Sequence, residues 1–355
     1  MEIIAIIMAG GMGTRFWPLS RRNKPKQFLP IISDKTMLEE TVNRILPVFP
    51  FDNIYTIANI QQTQLIRKLL PEIPDDNFLV EPQGKNTAPS LMLANALIYL
   101  RNPDAVVAAL PADHLIKNSD LFLKKLKVAA SIASEGDFLI TFGITPTHPA
   151  TGYGYIHFSE ENPHRCLGES FYNVREFKEK PDYEQAKLFL KQGNFLWNSG
   201  MFIWKAQVFA KKIEMYAPSM LPYWERMLSA LKDNRQTEIN TIFEEIPSIS
   251  IDYALMEKAK EVLTCPGDFG WSDVGSWSFL RDIWPKDRNG NAMKGKNITL
   301  DSRNCLSYSP QKLTVLIGVE DIIVVDTEDA LLVCHKDNDQ KVKDIVDLIK
   351  KEEKD

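Results

Sequence analysis

Three glycines, Gly10, Gly11 and Gly13, follow directly on an apolar run from Ile3 to Met8. A buried strand ending in such a loop leaves backbone N–H groups unshielded by side chains, and Arg15 and Lys26 add fixed positive charge just downstream. That combination suits a bound polyphosphate. Two carboxylates lie far from it in the sequence. Asp113, in Pro111-Ala-Asp-His114, follows the apolar run at 105–110, and Asp273 sits in Phe269-Gly-Trp-Ser-Asp-Val-Gly-Ser-Trp277. A carboxylate delivered by the C-terminal end of an apolar strand suits a Mg²⁺ or substrate site. The alternatives are a turn aspartate that caps the next segment for Asp113, and a helix N-cap at Ser272 or Asp273 within an aromatic cluster.

A third group of residues could read a base or a sugar. Glu81-Pro-Gln-Gly-Lys-Asn86-Thr-Ala-Pro89 precedes an apolar helix-like stretch. Guanine presents N1–H and N2–H₂ side by side, and one carboxylate such as Glu81 can accept from both. Asn86 and Thr87 serve equally as a turn and N-cap or as ligand contacts. Gly154, in Thr151-Gly-Tyr-Gly-Tyr, lets a ligand approach the backbone. Glu179 and Lys180, in Phe177-Lys-Glu-Lys-Pro181, could accept from sugar hydroxyls and hold a phosphate as a point charge, although the same string is an ordinary solvated charge run. Arg21, Arg22, Lys24 and the C-terminal lysines read as surface charge, and His114 as structural.

Two familiar phosphate loops are excluded. No G-x-x-x-x-G-K-[ST] string occurs, and Gly11-Met-Gly13-Thr-Arg-Phe16 places a phenylalanine where the dinucleotide fingerprint needs a glycine or alanine for close helix–strand packing. Phe16 thereby disfavours a dinucleotide-binding dehydrogenase. No H-x-E or G-x-S-x-G element supplies a hydrolase nucleophile.

The strings G-G-x-G-T-R-x-W-P-L-S-R (from Gly10) and K-P-K-Q-F-L (from Lys24) resemble the signature of the sugar-1-phosphate nucleotidylyltransferases, within them the mannose-1-phosphate guanylyltransferases. The resemblance spans residues 1 to about 284. It implies that Ala9, Gly10, Gly11, Gly13 and Thr14 wrap the nucleotide, with Glu81, Asn86 and Thr87 at the base and ribose. It implies that Arg15 and Lys26 hold the triphosphate, and that Asp113 and Asp273 bind Mg²⁺ or another divalent cation. It also gives Gly154, Glu179, Lys180 and Asn198 (in Trp197-Asn-Ser-Gly-Met-Phe202) to the sugar phosphate. The implied reaction moves GMP from GTP to α-D-mannose 1-phosphate, giving GDP-mannose and pyrophosphate by in-line attack at the α-phosphorus. The alternatives are another sugar 1-phosphate or nucleoside triphosphate, or a non-catalytic nucleotide-sugar sensor on the same fold. Lys178 departs from the apolar residue usual before E-K-P.

These residues need a scaffold. Strand-like runs at 3–8, 53–58, 78–80, 105–110 and 138–143 alternate with helix-like stretches at 37–46, 61–70, 88–100, 121–134 and 183–192. The alternation predicts an α/β fold, a Rossmann-like, mostly parallel mixed sheet flanked by helices, with ligands beyond the carboxyl ends of its strands. The pattern changes near Trp284. A linker rich in Pro, Asn, Gly and Lys is expected at 285–296, then short strands near 298–300, 313–317, 322–325 and 331–334. The last stretch, 341–351, sets Val342, Ile345, Val346 and Ile349 on one helical face, expected to pack on its own domain. The domains expected are thus 1–284, catalytic, and 285–355, β-rich and ending in a helix. The resemblance makes the second a short left-handed β-helix, although no hexapeptide repeat is visible.

With 355 residues and 44% apolar content, the chain can bury a sizeable core. A net charge of −5 argues against bulk nucleic-acid binding. No apolar run approaches the roughly 18 residues of a membrane span. No secretory signal is visible, and the four cysteines show neither C-x-x-C spacing nor a disulfide framework. A cytoplasmic protein is therefore expected. A homodimer stays open, because these features do not fix the oligomeric state.

Overall fold

A computed structural model describes residues 1–11 and 13–352. Its first strand, β1 (Ile3–Met8), is buried from Ile4 to Ile7 at 0–3% exposure, as an apolar run covered on both faces must be. The other strands are β2 (Ile54–Ala58), β3 (Phe78–Val80), β4 (Val106–Pro111), β5 (Leu115–Ile116), β6 (Leu139–Ile144), β7 (Tyr155–Cys166) and β8 (Glu169–Lys178). They continue with β9 (Phe195–Lys205), β10 (Val262–Pro266), β11 (Trp271–Ser272), β12 (Ala292–Leu300), β13 (Leu306–Ile317), β14 (Ile322–Asp326) and β15 (Leu331–His335).

The chain forms two compact units. One holds Met1–Gly10, Asn43–Ala112 and Ile116–Trp271, and the other holds Gly11–Val42, Asp113–Leu115 and the residues from Ser272 on. In the first unit a nine-stranded sheet runs β3-β2-β1-β4-β9-β6-β10-β8-β7. β1 pairs in parallel with β2 and β4, and β10 with β6, whereas β9 runs antiparallel to β4, β6 and β7. The fold class is the expected one, a mostly parallel mixed sheet with helices. The pairing of Met8 with Pro111 ends β1 and β4 at one level, and Ala112 N–H donates to Met8 O at 3.0 Å. The loops beginning at Ala9 and at Asp113 therefore leave neighbouring strand ends.

Expected helices recur with ends moved by one or two residues, such as Ile60–Leu69, Thr87–Arg101 and Ser119–Glu135, whereas the strands expected near 298–300 and 313–317 are only the C-terminal parts of the longer β12 and β13. The hairpin of β7 and β8 has no counterpart among the elements expected from the sequence. It turns through Leu167 and Gly168, both at positive φ (47° and 83°). Such two-residue turns usually carry Asn-Gly or Asp-Gly, so a leucine at the first position hides the signal.

In the second unit β12, β13 and β14 pair in parallel, and β15 closes antiparallel on β14. The segment 285–296 is not a free linker. Asn291, 1% exposed, donates to Asp287 Oδ2 at 2.9 Å and accepts from Cys305 N–H at 2.9 Å, and β12 begins at Ala292. Its Asp and Asn residues build a bonded turn. The core of this unit joins Phe16, Leu29 and Ile31 from the N-terminal motif to Trp277, Trp284, Leu306 and Ile323. Trp284 Nε1 donates to Ile31 O at 2.8 Å, and Trp277 Nε1 to Trp17 O at 3.1 Å. The last helix, Val342–Glu352, places Val342 in that core, whereas Ile345 is 44% exposed. The expected apolar face is thus covered mainly at its start.

Phe16 is fully buried with its ring 5.2 Å from Trp277. Phe16→Ala is expected to cost about 3–5 kcal/mol of stability, the usual range for emptying a buried aromatic site. Urea unfolding checks this, and a loss under about 1 kcal/mol would remove Phe16 from the core of the unit.

Candidate functional site

In the second unit, Gly13, Arg15, Lys26, Asp113 and Asp273 line one pocket of about 300 Å³. The turn Thr14–Phe16 starts at Gly13, whose φ of 58° is left-handed. A Cβ on Gly13 would stand 2.3 Å from Lys26 Cβ and 3.0 Å from Lys26 N. The glycine is needed both for its φ and because the lysine segment packs against it. Lys26 is 6% exposed. Its ammonium lies 2.8 Å from Asp113 Oδ2 and donates to Asp273 O at 2.6 Å. Gln27 steadies the same turn by donating to Gly11 O at 3.0 Å.

Burial pushes the Asp113 carboxyl up, but the charges of Lys26 and His114 more than offset it, and the group lies below the ordinary aspartate value. It is thus kept ionised. The capping alternatives fail here. Asn118 caps Ser119–Glu135, and Ser276 occupies the N-cap of Trp277–Ile283. Ser272 Oγ instead accepts from Val274 N–H at 3.0 Å. Val274 is a buried β-branched residue at φ 48°, a strained conformation next to Asp273. Among the described residues no group of three or more His, Cys, Asp or Glu side chains could hold a metal ion. Two carboxylates lining one pocket still fit Mg²⁺, which takes oxygen donors and fills its remaining positions with phosphate and water.

The first unit carries two further clusters. Glu81, 6% exposed, accepts from Ser90 Oγ at 2.5 Å. A Cβ on Gly10 would come within 2.9 Å of Glu81 Oε1, so the first glycine of the loop makes room for this carboxylate. Burial raises the Glu81 carboxyl above its ordinary value, against the pull of the Ser90 hydrogen bond. Asn86 caps Thr87–Arg101 by accepting from Thr87 N–H at 2.8 Å, at a φ of 70°. Thr87 Oγ1 accepts from Ile251 N–H at 2.9 Å. The structural reading of these two side chains is therefore real, whatever else they touch.

The second cluster joins Gly154, Glu179, Lys180 and Asn198. A Cβ on Gly154 would sit 2.5 Å from Glu179 Oε2 and 3.3 Å from Asn198 Cβ. Glu179 pairs through Oε1 with Lys180 Nζ at 2.5 Å, while its Oε2 is buried with no hydrogen-bond partner. A buried, unmatched carboxylate oxygen is costly, and a sugar hydroxyl is the kind of donor that would satisfy it. Asn198 donates to Asp252 Oδ1 at 2.8 Å and accepts from Gly200 N–H at 3.1 Å.

Asp252 is a functional candidate that the sequence does not mark. It opens the π-helical turn Asp252–Met256, a rare geometry found often at functional sites. Burial first, and then the nearby Glu179 charge, push its carboxyl up to about 6. No motif surrounds it, and only the fold puts it beside Asn198.

A family model for nucleotidyl transferases matches residues 4–290, and one for the MannoseP isomerase/GMP-like beta-helix domain matches residues 295–349. The chain is 39% identical over 362 residues to mannose-1-phosphate guanylyltransferase 2 of Escherichia coli O157:H7, covering 98% of this chain and 73% of that protein. It is 36% identical to the alginate biosynthesis protein AlgA of Pseudomonas aeruginosa, covering 97% of this chain and 71% of that one. A solved structure from Thermus thermophilus, described as a mannose-1-phosphate geranyltransferase, is 32% identical with a TM-score of 0.88, covering 99% of this chain and all of that one.

An Asp252 carboxyl raised to about 6 stabilises the fold below its unfolded value of 3.8, and that contribution is lost as pH rises through 6. Asp252→Asn should therefore melt close to the natural protein at about pH 4 and above it at about pH 7. A melting-temperature difference that stays constant between these pH values would contradict a buried Asp252 carboxyl raised in the folded protein.

Proposed function

Because the chain belongs to the nucleotidyl transferase family of sugar-phosphate enzymes, we propose that it transfers GMP from GTP to α-D-mannose 1-phosphate, releasing pyrophosphate and GDP-mannose. The observation that carries this reading is the pocket in which Arg15, Lys26, Asp113 and Asp273 converge. The names of the relatives, mannose-1-phosphate guanylyltransferases, support mannose 1-phosphate and the guanylyl group.

The sugar phosphate is mostly dianionic near neutral pH, with a second pKa of about 6 by analogy with phosphorylated side chains. It needs no strong general base. One of its oxygens attacks the α-phosphorus in line, the bond from that phosphorus to the bridging oxygen breaks, and pyrophosphate leaves with the electron pair. The protein's tasks are alignment and charge neutralisation. Arg15 and Lys26 hold the β- and γ-phosphates, on which negative charge grows. Lys180 holds the attacking phosphate and Glu179 accepts from the mannose hydroxyls through its unmatched oxygen. Asn198 positions Asp252 beside them. Glu81 accepts from guanine N1–H and N2–H₂, while Ala9, Gly10, Gly11, Gly13 and Thr14 wrap the nucleotide, with Asn86 and Thr87 bordering it. Asp113 and Asp273 would hold Mg²⁺, which supplies Lewis-acid neutralisation of phosphate charge when bound.

The same reading keeps the chain-order division at residue 284, with a catalytic segment before it and a β-rich segment after it. Four free cysteines fit a reducing cytoplasm. Ile298, Leu300, Val315 and Ile317 are 49–63% exposed on paired positions of β12 and β13, which supports a homodimer.

Pyrophosphate release from purified protein with Mg²⁺, GTP and mannose 1-phosphate tests the assignment, each component being omitted in turn. Release is expected only with all three, with GDP-mannose found by mass spectrometry. Glu81→Gln should keep the fold and lose the preference for GTP over ATP. Release with another sugar phosphate or nucleotide alone would overturn the substrate assignment. Silence with every pair, while GDP-mannose still binds, would point to a sensor.

A further inference from the structure

The pocket around Lys26 has one more lining residue that the motif does not predict. Lys343, in the last helix, faces the same space as Arg15, Lys26, Asp113 and Asp273. From the sequence it reads as one of the C-terminal surface lysines; it is indeed exposed, and the structure also places it on this pocket. Its neighbour Val342 is 3% exposed and belongs to the core that contains Phe16 and Trp277. The turn before it is fixed as well. Asp339, 4% exposed, accepts from Ser278 N–H at 2.9 Å, and Ser278 Oγ donates to Lys336 O at 2.9 Å. The backbone that carries Lys343 is therefore anchored to the helix Trp277–Ile283 directly after the Asp273 loop.

The charges explain what this lysine is for. Lys26 is matched by Asp113 at 2.8 Å. Among the described residues no carboxylate lies within ion-pair distance of Lys343 or of Arg15. Two cations without a carboxylate partner on one pocket, beside a third that is already neutralised, leave positive charge for a polyanion. We infer that Lys343 is a phosphate-binding residue that reaches the β- and γ-phosphates of the nucleotide, and so the departing pyrophosphate, from the C-terminal segment. This rests on the proposed reading of the pocket as the triphosphate site. It makes the last helix part of the substrate site, so that leaving-group binding depends on both ends of the chain.

The test is calorimetric binding of inorganic pyrophosphate with Mg²⁺ to the full chain, comparing the natural protein with Lys343→Ala, Lys343→Arg and the control Lys341→Ala. Lys343 is exposed, so these variants should fold, and circular dichroism checks it. Lys343→Ala should weaken pyrophosphate binding about five- to twenty-fold, the scale of one charge-assisted contact at an open site. Lys343→Arg should restore most of it, and Lys341→Ala should change little. In turnover, Lys343→Ala should raise the KM for the nucleotide and leave that for the sugar phosphate unchanged. Equal pyrophosphate affinity in Lys343→Ala and the natural protein would overturn the inference, as would an equal loss in Lys341→Ala or no pyrophosphate binding by the natural protein. If pyrophosphate binding responds as expected but GTP and mannose 1-phosphate do not react, the substrate reading fails and the role of Lys343 stands.

Discussion

The ammonium of Lys26, held between the Asp113 carboxylate and the Asp273 carbonyl, is the contact that ties together the residues lining the second unit's pocket. Burying an ammonium is costly unless it is paired, and the Asp113 carboxylate beside Lys26 is kept ionised by the same contact. Each group stabilises the charge of the other, and both line the pocket. Three stretches far apart in sequence, 13–26, 113–114 and 272–275, are thus tied by one cation. A phosphate chain entering this pocket meets charge that is already in place, which is where electrostatic preorganisation gets its effect.

Packing sets that cation. Gly13 has no side chain because Lys26 fills the space. Phe16, one turn later, lies against Trp277, and Trp277 is in the same core as Val342. The N-terminal motif is therefore built on the C-terminal core. A purely local account of a glycine-rich loop would miss why these residues are placed as they are. The first unit contributes its own carboxylates by the same device, since Gly10 and Gly154 clear the space that Glu81 and Glu179 occupy.

The strands and helices of the parallel block were legible because apolar runs at β1, β4 and β6 are buried on both faces, and β1 and β4 lead into Ala-Gly-Gly and Pro-Ala-Asp. The residues Arg15, Lys26, Asp113 and Asp273 stood out in their motifs, and the structure puts them on one pocket. Asp252 was not legible, because an aspartate after Ser250-Ile251 in a helical context reads as an ordinary first-turn acid. Only the fold sets it beside Asn198. The place of Lys343 on the pocket was hidden for a similar reason, since a lysine in an amphipathic, charge-rich helix carries no local mark that sets it apart. The segment 285–296 misled in the opposite direction, because turn-forming Asp and Asn residues look the same whether their bonds go to water or to Asn291.

The measurement that bears most directly on this account is a double-mutant cycle on turnover with Lys26→Ala, Asp113→Asn and the two combined. Residues that act as one unit lose their joint effect once, when either is removed. The double variant is expected to be no slower than the slower single variant, within about threefold. Losses that multiply, so that the double variant is slower by the product of the two, would show that Lys26 and Asp113 work independently, and would contradict the claim that their contact organises the site.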